Sequence, residues 1–75
     1  MEPTSFIERL QDLVHLRAFD EAGTFYERHI GTVSEVMTAA QFNRAAELAR
    51  HAQVQAVADQ RRATERRVAD ALAAG

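Results

Sequence analysis

Three histidines and a cluster of arginines are the side chains of this chain whose types best suit chemistry. His15, His29 and His51 fall in three separate predicted helical segments. Their acidic neighbours Asp12 and Glu47 stand at helical spacing, where an ion pair stabilises a helix by only about 0.2–0.5 kcal/mol. The sequence also contains no cysteine nucleophile, no phosphate-binding glycine loop and no paired metal-binding histidines. We therefore expect no metal site, no cofactor and no enzymatic activity.

The arginine cluster comprises Arg61, Arg62, Arg66 and Arg67, which at helical spacing cover a broad arc. Acidic residues interleave with them, and the whole chain carries a formal charge of −2. Proteins that bind nucleic acid do so largely by neutralising phosphates, so this charge balance argues against such a partner. A solvated helix surface, a contact with a partner protein and phosphate binding remain three interpretations of the cluster.

The length of 75 residues allows one domain, and a chain this short buries only roughly 60% of the surface that it exposes when unfolded. Small domains recover stability through disulfides, metals or association, and this chain has no cysteine. We therefore expect it to bind another protein or a copy of itself.

No apolar run approaches the ~20 residues of a membrane span, so we expect no membrane contact and a cytoplasmic location. Arginine without lysine is typical of a GC-rich, bacterial genome.

A first helix is predicted from Ser5 to Arg17. Its apolar stripe consists of Phe6, Leu10, Leu13 and Val14. These residues recur at the three-to-four spacing of a buried helix face. Ser5 and Glu8 match the S-x-x-E capping box at the position where the stripe begins.

A second helix is predicted from Phe19 to Ile30. Gly31 should end it, because glycine readily takes the left-handed conformation of a helix C-terminus. Gly23 within this helix costs about 1 kcal/mol relative to alanine, so we expect a close contact with another helix there. The apolar stripe of this helix consists of Phe19, Ala22, Tyr26 and Ile30. Phe25 lies off this stripe, and it is either a second core contact or an anchor for a partner.

Residues 32–74 are predicted to form one long or bent helix. A second capping box, Thr32-Val33-Ser34-Glu35, stands at its start. Phe42 falls on the opposite side of a helix from Val33. Either a bend lies between Ala39 and Gln41, or this segment contacts neighbours on two sides.

The C-terminal part of this segment has more helix than core. All five aromatic residues lie within the first 42 residues, so the core should form there. A helix over residues 41–74 would be about 50 Å long, which exceeds what such a core can cover. Its heptad a and d positions can be assigned to Val54, Val57, Thr64, Val68 and Ala71. Arg61 then falls at an a position, which makes a poor coiled-coil seam. We expect a strip of small residues packed against another helix instead.

Two segments resemble the paired helices of the tetratricopeptide repeat. Leu13, Tyr26 and the run Ala18-Phe19-Asp20-Glu21-Ala22 are similar to the junction of its two helices. The run Gln41-Phe42-Asn43-Arg44-Ala45-Ala46-Glu47-Leu48-Ala49 resembles its second helix again, although the two segments lie closer together than the period of that repeat. Arg17 and Ala40 stand where that repeat usually has glycine. The resemblance implies antiparallel helical hairpins.

A second resemblance concerns the run Ala39-Ala40-Gln41-Phe42, which is similar to the start of the long helix in small co-chaperones of type III secretion needles. It implies a helical hairpin that docks on a larger chaperone. With the periodicity, it predicts one all-α domain over residues 1–75, with three to four helices, antiparallel hairpins and a long C-terminal helix. Two short helices should occupy residues 5–31.

The predicted function is that of a protein–protein interaction module, such as a co-chaperone, an adaptor or an inhibitor. The predicted partner-binding residues are Phe25, Phe42, Leu48, Val54, Val57, Arg61, Val68 and Leu72. One alternative is a small DNA-binding regulator with a helix-turn-helix near residues 32–52. Another is a structural subunit of a larger assembly. Truncation after Ala52 should leave a folded remnant that associates less.

Overall fold

Three α-helices and one turn of 3-10 helix make up the chain, and the computed structural model describes residues 1–74. The helices are α1 (Pro3–His15), α2 (Phe19–Val33) and α3 (Ala39–Ala74), with the 3-10 turn at Ser34–Val36. The prediction of an all-α fold with a long C-terminal helix is confirmed. The molecule measures 56 × 17 × 17 Å, because the 36-residue α3 extends well past the other two helices.

Helix α1 begins two residues earlier than predicted. Pro3 occupies its first turn, where the missing amide hydrogen of proline costs nothing and its fixed φ suits the helix. The N-cap is Glu2, and no side chain caps this end of the helix. The predicted capping box at Ser5 and Glu8 is therefore wrong, because Ser5 already lies within the first turn.

Helix α1 ends in a Schellman motif that has arginine where glycine is usual. The amide of Ala18 donates to the carbonyl of Leu13 at 2.9 Å, and the amide of Arg17 donates to that of Val14 at 3.0 Å. Arg17 has a φ of 60°, which is the left-handed conformation that this motif requires. The sequence prediction had extended helix one through this residue.

The left-handed conformation of residue 17 should be measurable as a difference between two variants. Arg17→Gly is expected to be more stable than Arg17→Ala by about 1 kcal/mol, because an alanine Cβ clashes in this conformation and glycine has none. Both variants lose the ion pair with Asp59 and the stacking of the guanidinium 5.4 Å from the Phe19 ring centroid. The comparison of their urea unfolding curves thus isolates the backbone, and equal stabilities would show that residue 17 is not left-handed in solution.

Helix α2 continues past the glycine that was predicted to end it. Gly31 does not have a positive φ, and α2 runs on to Val33, whose side chain is buried in the core. The predicted capping box at Thr32 and Glu35 is therefore wrong, because Thr32 lies in the last turn of α2. Burial of Val33 favours the longer helix, since ending at Gly31 would remove that side chain from the core.

The break between α2 and α3 lies at Met37 and Thr38, just before the predicted bend. Thr38 and Gln41 form the capping box that starts α3. The Thr38 amide donates to Gln41 Oε1 at 2.9 Å, and the Gln41 amide donates to Thr38 Oγ1 at 3.1 Å. Val33 and Phe42 consequently belong to different helices, which accounts for their opposite positions on a single helical wheel.

The core lies between α1, α2 and the first half of α3. Its buried side chains are Phe6, Leu10, Leu13, Phe19, Ala22, Val33, Ala45, Leu48 and Ala52. The face that α3 contributes is rich in alanine, and small side chains let the helix axes approach closely. Ala56 still packs against this core, whereas every residue from Gln60 to Ala74 is exposed. About ten turns of helix are thus anchored by their first half alone.

Candidate interaction surface

The side of α3 that faces away from the core carries a line of exposed aliphatic residues. We call this surface the outer face; it comprises Val54, Val57, Arg61, Glu65, Val68 and Leu72. The four aliphatic side chains are between 53% and 77% exposed. At the rotation of about 100° per residue in a helix, they stand opposite the core-facing residues Ala45, Leu48 and Ala52. The outer face therefore has no neighbour within the described chain.

The sequence of α3 determines how the outer face is held. From Ala39 to Ala74 it contains no proline or glycine, and it is rich in alanine, which has the highest helix propensity. The core fixes the first half of the helix, and the second half continues it without a break. From Val54 to Leu72 the outer face extends for about 27 Å along the axis. It is the surface of one continuous helix.

Four of the aliphatic residues predicted to bind a partner, together with Arg61, lie on the outer face. Glu65 also lies there, and sequence analysis missed it because it was grouped with the acidic residues that interleave with the arginines. Glu65 follows Arg61 by four residues, and residues at this spacing lie on the same side of a helix. This spacing is the sequence signal that could have identified it. The outer face thus has an apolar segment at each end and two opposite charges at its centre.

Leu48 is not on this surface. It is only 8% exposed, because it faces α1 and α2 as part of the core. Its apolar neighbours along the sequence gave no indication of which side of the helix would be covered. Leu48 therefore contributes to folding and is unavailable to a partner.

Phe25 is partly buried and packs against the core of the helical body, as we call α1, α2 and the first half of α3. Its ring stacks on Phe6 with the centroids 5.3 Å apart and the planes 20° from parallel, and its other neighbour is His29 at 4.8 Å. Of the two interpretations left open by the sequence, the structure favours the core contact. Phe42 is 42% exposed, but it lies in the first turn of α3, about 18 Å along the axis from Val54. The structure therefore does not bring either aromatic ring to the outer face.

The arginine cluster divides between two sides of α3. The Asp59 carboxylate forms ion pairs with Arg62 and with Arg17, with N–O distances of 3.7 Å in both. The Arg62 side chain therefore points towards the helical body. Arg61 instead lies on the outer face. These ion pairs are exposed, and such pairs contribute little to stability. The cluster is thus not one continuous basic surface.

A groove of about 530 Å³ lies between α2 and α3, and small residues such as Gly23 and Ala49 line it together with charged ones such as Glu27 and Arg50. The predicted close helix contact at Gly23 is wrong, because no atom of another helix lies within 4 Å of the position that a Cβ would occupy. His51 and His29 also lie against different aromatic rings: His51 forms a T-shaped pair with Phe19, with ring centroids 6.2 Å apart, and His29 packs against Phe25. Among residues 1–74 no three potential ligands are grouped as a metal ion would require.

The segment considered for a helix-turn-helix differs from that motif at its first helix. Residues 32 and 33 end α2, and residues 34–36 form the 3-10 turn, so no separate helix begins at Thr32.

Within the described chain, no helix is long and apolar enough to cross a membrane. Comparison with protein-family models, curated proteins and solved structures gave no match. The geometry of the chain itself is therefore the basis for a functional proposal.

Proposed function

We propose that this chain is a protein–protein interaction module that docks the outer face of α3 on another protein surface. The observation that supports this proposal is the line of four aliphatic side chains, each more than half exposed, on a helix that extends beyond its own core. Exposed apolar residues that are clustered and bordered by charged residues are typical of interaction sites in soluble proteins. The chain would act by binding, with no catalytic step.

In this proposal, the helical body serves to hold α3 in place. We infer that α1 and α2 form an antiparallel hairpin, because only residues 16–18 connect them and because Phe6 near the start of α1 contacts Phe25 and Tyr26 in the middle of α2. The hairpin covers one side of α3 and leaves the other free. Binding would then cost little conformational entropy, because the outer face is already ordered as a helix.

Site-specific photo-cross-linking in the cells that produce the protein tests this proposal. A photoreactive phenylalanine analogue at Val57 is expected to yield a defined cross-linked product, because this residue would lie in the interface. The matched control is Val36, which is also an exposed valine but lies in the 3-10 turn, away from the outer face. We expect no comparable product from position 36. Absence of any product from position 57, or equal products from both positions, would contradict the proposal.

A further inference from the structure

The residues of the outer face are spaced almost symmetrically about position 63. Val54 and Leu72 are equally far from position 63, and so are Arg61 and Glu65. Val57 and Val68 match within one residue. The two ends are aliphatic, whereas the central pair carries opposite charges. A helix with this pattern complements a second copy of itself that runs in the opposite direction.

We infer that the partner on the outer face is a second copy of this chain. The two α3 helices would run antiparallel, and a two-fold axis would pass between them at the level of position 63. This inference rests on the proposed function and identifies its partner. Val54 of each copy would face Leu72 of the other, and Arg61 would face Glu65. An interface of this kind is isologous, so it closes as a dimer and does not extend into a filament.

The charges at the centre decide the direction of the two helices. In a parallel pair, Arg61 would face Arg61 and Glu65 would face Glu65, which places like charges together near the axis. In the antiparallel pair, each arginine faces a glutamate, and its aliphatic stem covers the neighbouring valines. An arginine at a heptad a position is unfavourable when it has no partner. In the antiparallel pair, Glu65 of the second copy is the partner of Arg61.

The helical bodies leave room for this dimer. α1 and α2 pack on the core-facing side of the first half of α3, and the outer face lies opposite. In the antiparallel pair, the bodies would therefore lie at opposite ends and on opposite sides. Residues 52–74 of the two copies would overlap over about 34 Å, which is about three heptads.

Charge reversal at positions 61 and 65 tests the pairing. By sedimentation equilibrium of the full chain, Arg61→Glu and Glu65→Arg are each expected to raise the dimer dissociation constant on the order of tenfold, because each places like charges in both symmetry-related pairs. A 1:1 mixture of the two variants is expected to restore dimerisation as a heterodimer, since every facing pair is then opposite in charge. The contacts within each single chain remain like-charged in the mixture, so recovery can arise only between chains.

The direction of the helices is tested by cross-linking, because an introduced cysteine would be the only thiol in the chain. A mixture of Val54→Cys and Leu72→Cys is expected to form a mixed disulfide much faster than either variant forms one with itself. Faster self-linking of each variant would indicate a parallel pair and overturn the inference.

The inference and the proposed function can fail separately. A wild-type chain that remains monomeric at all concentrations would overturn the inference, and so would a mixture of charge variants that associates no better than either alone. If position 57 then cross-links to a different protein in cells, the proposed function stands without self-association. If it cross-links to nothing, both fail.

Discussion

Phe6→Ala is expected to leave little folded protein at 25 °C. Phe6 is fully buried, and its ring contacts both Phe25 and Tyr26. Replacing a buried phenylalanine by alanine lowers the free energy of unfolding by about 3–5 kcal/mol, through lost transfer energy and the cavity that remains. A single core in a chain of this length supplies only about 3–5 kcal/mol in total. The variant should therefore lose most of its cooperative urea transition, followed by circular dichroism.

Phe42→Ala is the matched control for this variant. Both substitutions replace phenylalanine by alanine within the first turn or two of a helix, so they change helix propensity in the same direction. Phe42 is 42% exposed and belongs to no buried cluster, and we expect a loss below about 1 kcal/mol. Equal losses for the two variants would mean that Phe6 is not the centre of the core.

A chain that ends at Gln60 is expected to fold and to remain monomeric. Residues 61–74 contribute no buried side chain, so their removal should change the free energy of unfolding by less than about 1 kcal/mol when both chains are compared as monomers. Association should be lost, because Arg61, Glu65, Val68 and Leu72 are removed together. Sedimentation equilibrium and urea unfolding at low protein concentration measure the two effects separately.

The structure places two further contacts between Ala52 and Gln60. A chain that ends at Ala52, as the sequence had suggested, would also lose Ala56, which packs on the core, and Asp59, which pairs with Arg17. It should therefore be less stable than the chain that ends at Gln60. If the longer fragment fails to fold, residues 61–74 belong to the fold and the outer face is not a free surface.

Helix content and the surplus length of α3 could be predicted from the sequence, because both depend on local properties. Apolar spacing located the stripes of α1 and α2, and the lack of proline and glycine over residues 41–74 indicated a long helix. The position of the aromatic residues indicated which end would carry the core. These features do not require knowledge of which elements meet.

The exact helix ends could not be predicted, because several local patterns compete for them. Ser5 and Thr32 each match a capping box, but the box that forms is at Thr38 and Gln41. Its choice depends on burial of Val33, which extends α2 past Gly31. Tertiary packing thus selects among caps that differ by only about 1 kcal/mol.

Only part of the candidate surface could be predicted from the sequence, because its limits also depend on tertiary packing. Val54 and Leu48 are both aliphatic residues of one helix, and only the docking of α1 and α2 shows that Leu48 is covered. Glu65 has a role only in the proposed antiparallel pair, where it would face Arg61 of the second copy. Which side of α3 is covered is a property of the assembled helices and not of the sequence of α3 alone.

The continuous course of α3 past its core separates residues that are buried in the fold from a segment that is exposed along its whole length. Ala45 and Ala52 are fully buried and must stay small for the helices to pack, whereas residues 60–74 are exposed and can vary in size. Substitutions in the second half of α3 can accumulate over generations without unfolding the chain. The second half of α3 is therefore free to diverge between descendants that keep the same helical body.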